Sequence, residues 1–332
     1  MRAWLAARLP QVWLQRRWPA LLLWPLSLLY GAVASLRRWL YRFGLLASGS
    51  AGVPVIVVGN VVAGGSGKTP VVIAIVEHLK AAGWQVGVVS RGYGRVGEDC
   101  REVLPDSPVR QVGDEPALIR HTCRCPVFVA PKRLDAARAL LAQHPGVQII
   151  VCDDGLQHLA LERDIEICVF DDRGAGNGLL LPAGPLREPW PRAVDLVLHT
   201  GEHPAFGGWR ARRGLAADAL AQDGTRRPLQ SFAGTPCTVL AGIARPEAFF
   251  AMLHGAGITP ARTIALPDHF DFASWQLPAG TPTPVLCTEK DAVKLWSTVP
   301  EAWAVPLQLV LDAGFADALD RLVAARVPSR LS

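Results

Sequence analysis

Apolar residues in this chain fall into short unbroken runs separated by helical repeats. Val53–Gly59, Val86–Ser90, Val127–Ala130, Val147–Cys152, Ile165–Phe170 and Asp195–His199 each read as a buried strand, short and mostly β-branched. Between them the spacing changes from continuous to 3.6-periodic. Val71, Val72, Ile75, Val76 and Leu79 predict one helix ending near Gly83, and Leu134–Gln143 predicts another. Strand–helix alternation predicts a mostly parallel sheet covered on both faces, a three-layer α/β/α arrangement over residues 51–200. Residues 201–234 carry Gly, Arg and Ala without a period and read as a linker or ribbon. A smaller α/β domain is expected over 235–332, from strand Thr238–Ile243, helix Pro246–His254 and strand Pro284–Cys287. A last strand and helix follow from residue 305, the helix expected to pack back on the first domain.

The first 50 residues break this rhythm. Trp18 to Leu36 is 19 residues without a charge, flanked by Arg16-Arg17 and Arg37-Arg38. A straight helix of that length reaches roughly 28 Å, just short of a hydrocarbon core. Pro19 and Pro25 predict an interruption or kink. The segment 1–50 holds seven arginines, five of the eleven tryptophans and no acid; the first acidic residue is Glu77. The net charge of +5 therefore divides into +7 for residues 1–50 and −2 for the remainder. A near-neutral body argues against nucleic acid as a partner, and a basic, Trp-rich apolar leader points to a membrane surface. Three readings compete for the leader. It is a secretory signal ending at Ala32-Val33-Ala34, a spanning helix, or a helix lying in the cytoplasmic leaflet. The last is preferred, because the body carries a motif for a cytosolic nucleotide. Seven cysteines, an odd count without a Cys-x-x-Cys pair, read as reduced and mostly buried thiols.

That motif follows the first buried strand. Val62-Ala63-Gly64-Gly65-Ser66-Gly67-Lys68-Thr69 leads directly into the first helix, the strand–loop–helix context of a phosphate-binding loop. Glycines let backbone N–H groups turn toward phosphate oxygens, and the helix N-terminus adds partial positive charge. Lys68 is suited to the β- and γ-phosphates and Thr69 to Mg²⁺. The chain has only five lysines against 29 arginines, so a lysine here is not compositional noise. One departure stands out: Val62 occupies the position where the consensus has glycine. A second strand, 147–152, ends in Asp153-Asp154-Gly155-Leu156-Gln157-His158, which fits a metal-side acid near the loop. The plainer reading is a strand-ending turn.

Seven stretches then occur in a telling order: GGSGKTP (64–70), SRGYGR (90–95), GDEP (113–116), DDGLQH (153–158), GNGLLLPAGPLREP (176–189), DHFDF (268–272) and TEKDAVK (288–294). In these the chain resembles the tetraacyldisaccharide 4′-kinase family, the lipid A 4′-kinases of Gram-negative bacteria, from residue 53 to 294. The resemblance implies a two-domain phosphate-loop kinase. Such a kinase transfers the γ-phosphate of ATP, with Mg²⁺, to the 4′-hydroxyl of a tetraacylated disaccharide 1-phosphate. It implies work at the cytoplasmic face of the inner membrane, with no obligate protein partner. It also implies roles: Lys68 and Thr69 for phosphate and Mg²⁺, and Asp153, Asp154 and Gln157 on the metal side. Asp114 would be the general base, His269 its partner, and Glu188 a further active-site acid, read as a metal ligand. Val62 is no objection within the family.

Read without the family, Gly113-Asp114-Glu115-Pro116 is equally a helix start, and His269 equally a loop histidine. Arg91 and Arg95 offer guanidinium groups for an acceptor phosphate or form a solvated basic turn. Thr288–Asp291 lies near the nucleotide or simply begins a helix. The competing functions are a membrane-associated ATPase switch and a nucleotide-binding adaptor. The switch proteins carry a second lysine where this chain has Ala63. No Asn-Lys-x-Asp or LSGGQ-like stretch supports a GTPase or a transporter subunit.

Overall fold

The computed structural model describes residues 13, 18–64, 67–273 and 275–326. Its centre is a nine-stranded sheet, in the order β15-β8-β7-β6-β1-β5-β2-β4-β3. The strands are β1 Val55–Gly59, β2 Val86–Ser90, β3 Arg101–Glu102, β4 Val127–Val129, β5 Ile149–Asp153, β6 Ile165–Phe170, β7 Leu196–His199, β8 Trp209–Leu215 and β15 Leu307–Leu311. Pairing is parallel from β4 through β8 and antiparallel only at the two edges. Because β1 is buried on both faces, its side chains divide between two cores. Ile56 and Val58 join helices α2 (Lys68–Ala81), α3 (Asp114–Cys123) and α7 (Ala313–Arg326), through Val72, Ile119 and Phe315 among others. Val55 and Val57 join helix α4 (Arg133–Gln143) on the other face, through Ala136 and Leu140. This is the three-layer α/β/α arrangement the alternation predicts.

A six-stranded sheet, β10-β9-β14-β13-β11-β12, forms the smaller unit. It contains β9 Asp218–Leu220, β10 Arg226–Pro228, β11 Thr238–Ala241, β12 Arg262–Ala265, β13 Val285–Thr288 and β14 Trp303–Val305. Helices α5 (Pro246–Gly255) and α6 (Glu289–Leu295) cover opposite faces, Phe249 and Leu253 on one, Ala292 and Leu295 on the other.

The sheets cross the expected boundaries at 201–234 and 235–332. The segment 201–234 is built into both sheets: β8 is an inner strand of the large one, and β9 and β10 form an antiparallel ribbon in the small one. Trp209 and Ala211 pack into the first core while arginines alternate with them, a period of two that the arginine content obscured. The chain returns to the large sheet through β15 and α7, whose Phe315, Leu319 and Val323 are buried there.

The leader also differs from expectation. Helix α1 runs unbroken from Trp18 to Arg42 with Pro25 inside it. Pro19 falls in the first turn, where a missing N–H costs nothing. Beyond Pro25 the helix is held by the body. Ser27 Oγ donates to Leu180 O at 2.9 Å and accepts from Ala183 N at 2.9 Å. Tyr30 Oη donates to Arg187 O at 2.8 Å. The opposite side is apolar and open: Trp18, Leu22, Leu29, Val33 and Leu36 are each more than half exposed. Among the described residues, Ala20–Arg42 is the one helix long and apolar enough to cross a membrane.

Candidate active site

The phosphate loop leaves β1 and is pinned from outside. Ala63 N donates to Pro185 O and Arg187 N to Val61 O, each at 2.7 Å, with Val62 bridged to Leu186 between them. Val62 is buried in the same core as Leu186. A side chain at this position faces apolar packing rather than phosphate, which explains why glycine is dispensable here. Gly64 and Gly67 have φ of 96° and 69°, the left-handed region that favours glycine. Gly65 and Ser66 lie outside the described residues. Lys68 Nζ lies 3.4 Å from Asn60 Oδ1 and 3.7 Å from Asp154 Oδ1. Arg187 Nη1 also donates to both Asp154 oxygens at 3.3 Å. Burial pushes the Asp154 carboxyl up, but Lys68 and Arg187 together hold it below its ordinary value.

Strand register carries Asp153 to the loop, opposite Val58 and one residue before Gly59. Its Oδ2 accepts from Ser90 Oγ at 3.0 Å, while Oδ1 is buried with no hydrogen-bond partner. Burial, then the charges of Glu115 and Asp154, push this carboxyl up to about 7. An orphaned buried carboxylate oxygen at Asp153 and a buried hydroxyl at Thr69 are the kind of oxygen donors that a small hard cation takes. Among the described residues no three His, Cys, Asp or Glu side chains form a metal cluster by themselves. A small cation arriving with a nucleotide would bring phosphate and water ligands of its own, so it would need few protein oxygens.

The second centre joins the two sheets. Asp114 is the first residue of α3, after Gly113 with φ 92°. Its Oδ2 accepts from His269 Nδ1 at 2.7 Å and lies 3.4 Å from Lys290 Nζ and 3.6 Å from Lys294 Nζ. Burial pushes the Asp114 carboxyl up, but the His269 hydrogen bond and the three cations outweigh it. They hold the carboxyl well below the usual range. The same hydrogen bond raises His269 above its ordinary value, against burial and the Lys290 charge. His269 reaches this position with φ 61°, a strained backbone for a non-glycine residue.

The TEKDAVK stretch, left open between two readings, divides by helix face. Thr288 caps α6, accepting from Asp291 N at 3.2 Å. Asp291 Oδ2 accepts from Gly242 N at 2.8 Å, and Glu289 accepts from Thr122 Oγ1 at 2.9 Å, so these two acids brace the helix. Lys290 and Lys294, four apart and therefore on one face, both reach Asp114.

Other sequence-predicted residues fall elsewhere. Glu188, read from the sequence as a metal ligand, is held by three side chains. Its Oε1 accepts from Gln157 Nε2 at 2.6 Å, and its Oε2 lies 3.1 Å from Arg192 Nε and 3.5 Å from Arg38 Nη1. Two guanidinium groups and an amide already compensate the charge. Gln157 Oε1 accepts in turn from Arg187 Nη1 at 3.3 Å, which links α1 through Glu188 to the Arg187–Asp154 pair. Arg95 is folded back on its own loop, donating to Asp99 O, and Arg91 is exposed. From that loop Tyr93 lines the cleft instead, its ring 5.9 Å from the His269 ring.

Both centres open into one cleft of about 520 Å³ between the sheets, lined by Lys68, Thr69, Asp154, Glu115, His269 and Lys290 among others. The sequence assigns no role to Ser90, Tyr93, Glu115, Arg187 or Lys294, and Lys290 enters only within the two readings of Thr288–Asp291. All six lie inside the seven motif stretches, and that was the signal available for them.

Comparison with known proteins gives the family. A family model described as Tetraacyldisaccharide-1-P 4′-kinase matches residues 19–324. A tetraacyldisaccharide 4′-kinase of Acidovorax sp. (strain JS42) is 59% identical over 97% of this chain and 96% of its own length. One from Delftia acidovorans is 53% identical, covering 97% of each. Among solved structures, LpxK from Aquifex aeolicus, crystallised as an "apo" form in complex with ATP, aligns with a TM-score of 0.78. It shares 26% identity over 91% of this chain and 99% of that one. The chain belongs to the tetraacyldisaccharide-1-P 4′-kinase family.

Proposed function

We propose that this protein transfers the γ-phosphate of ATP to the 4′-hydroxyl of tetraacyldisaccharide 1-phosphate, at the cytoplasmic face of the inner membrane. The observation that carries the reading is that phosphate-loop residues and the Asp114–His269 pair share one cleft. Lys68 binds the β- and γ-phosphates, exchanging its Asp154 contact for phosphate oxygens. Thr69 and Asp153 would hold the Mg²⁺, whose chemistry is to neutralise charge on those oxygens. The Asp114–His269 pair accepts the proton of the attacking hydroxyl, since a sugar alcohol is a poor nucleophile until its proton is moving. Lys290 and Lys294 keep Asp114 ionised and fixed in place. Helix α1 lies with its open apolar side in the cytoplasmic leaflet, and its Tyr30 and Arg38 contacts hold the cleft near the lipid.

The test is transfer of labelled phosphate from ATP by the detergent-purified protein, with and without the 1-phosphorylated disaccharide lipid. Label on the 4′ position, lost in Lys68→Ala, supports the reading. ATP hydrolysis indifferent to the lipid, with no labelled product, contradicts it.

A further inference from the structure

A third cation stands over the phosphate loop. Arg173 follows β6 in the turn Asp171-Asp172-Arg173, outside every role assigned above. A Cβ built on Gly64 would lie 3.3 Å from Arg173 Nη1 and 4.0 Å from Nη2, so the guanidinium covers the third residue of the loop. The opposite edge of the group is tethered. Nε lies 3.1 Å from each oxygen of Asp171, and Nη2 lies 2.9 Å from Oδ2. Asp171 is only 3% exposed. Arg245, from the smaller unit, reaches the same carboxylate at 3.6 Å and lines the cleft.

This arrangement has a chemical consequence. A buried aspartate that grips a guanidinium by Nε and Nη2 fixes its plane and aims Nη1 at the loop. Little rotamer freedom is then left to lose when a phosphate binds. Phosphoryl transfer builds charge on the γ-phosphoryl oxygens and on the oxygen bridging β and γ, where an arginine acts most strongly. We propose that Arg173 is a phosphate-binding catalytic residue, an arginine finger supplied in cis. Asp171 is its positioning residue, and Arg245 is a second cation drawn in from the smaller unit. The proposal rests on the kinase reading and deepens it. In the step it serves, the acceptor oxygen bonds to the γ-phosphorus and its proton passes to the Asp114–His269 pair. The bond from γ-phosphorus to the bridging oxygen breaks, and ADP leaves with the electron pair. Arg173 neutralises that oxygen as the bond lengthens.

The experiment uses the full chain in detergent, as wild type, Arg173→Ala, Arg173→Lys and Asp171→Asn. Transfer to the disaccharide lipid is measured together with ATP and ADP binding by calorimetry, and thermal melting reports folding. For Arg173→Ala, kcat is expected to fall about 10²–10³-fold with KM for the lipid unchanged. ATP affinity should drop more than ADP affinity, because the lost contact is to the terminal phosphoryl group. Arg173→Lys should recover part of the rate, and Asp171→Asn should lose about 10-fold in kcat. A folded Arg173→Ala protein with kcat within threefold of wild type overturns the proposal. So do equal losses of ATP and ADP affinity, which would mark a structural brace. If wild-type protein labels no lipid, the kinase reading fails. The arginine proposal is then judged by the ATP-over-ADP preference alone, and falls if Arg173→Ala leaves that preference intact.

Discussion

The two halves of the cleft are built differently. The nucleotide half is local. Lys68 and Thr69 begin one helix, Asp153 ends a neighbouring strand with Asp154 just after it, and β1–β5 pairing sets their distance. The half proposed for proton transfer is assembled at long range. Asp114 comes from the large sheet's layer, His269 from a loop 155 residues later, and Lys290 and Lys294 from α6 of the smaller unit. A site on one sheet can bind its ligand whether or not a second unit is well placed. A site shared by two units works only when both are in position. Binding and chemistry should therefore be separable by mutation.

The sharpest cut through the comparison is at Asp114. Asp114→Asn should lower transfer ~10³-fold, because the proposed proton acceptor is gone while the surrounding cations stay. A loss under tenfold in a phosphate-transfer assay would remove Asp114 from that role. Lys68→Ala should lower transfer ~10²-fold and, unlike Asp114→Asn, weaken ATP binding as well. Lys290→Ala is a milder probe, expected to lose about tenfold in kcat, since Lys294 still faces the carboxylate.

The pair itself predicts a pH signature. His269 is raised by Asp114, so its share of the stability is complete below its unfolded value near 6.5. That share is lost as pH rises through the higher folded value. Asp114 is depressed, so its share is present above the ordinary carboxylate range and lost only as pH falls through its low folded value. The pair thus stabilises the fold most from just above the ordinary carboxylate range up to pH about 6.5, and the histidine share fades from there to its raised folded value. In an NMR titration His269 should ionise above 6.5 in wild type and fall back in Asp114→Asn. An unmoved titration would mean that the pair is not formed. Smallest of all, Ser27→Ala should cost on the order of 1 kcal/mol and leave kcat nearly unchanged, because it removes a docking contact of α1 rather than a reacting group.

The same contrast explains what the sequence could reveal. Lys68, Thr69 and the two aspartates were legible because each sits at the end of a strand or the start of a helix, where the chemistry is written in adjacent residues. Asp114 and His269 were legible only as parts of family motifs, since spacing along the chain says nothing about a 2.7 Å contact across 155 residues. The pairing of Glu188 was hidden for a related reason. Its partners Arg38 and Arg192 come from separate segments, and one of them belongs to the leader. The paired lysines of α6 were in plain view, but a four-residue spacing shows that they share a face and not what that face meets. The strands at 209–228 were hidden by arginine and glycine, which weaken the alternation that marks a strand.

The most direct test of two separable halves is the ATP dissociation constant of Asp114→Asn, measured by calorimetry beside wild type and Lys68→Ala. The account predicts that Asp114→Asn binds ATP within about threefold of wild type while Lys68→Ala binds distinctly more weakly. If Asp114→Asn loses ATP affinity as severely as Lys68→Ala, the two halves are one, and the division drawn here between binding and chemistry is wrong.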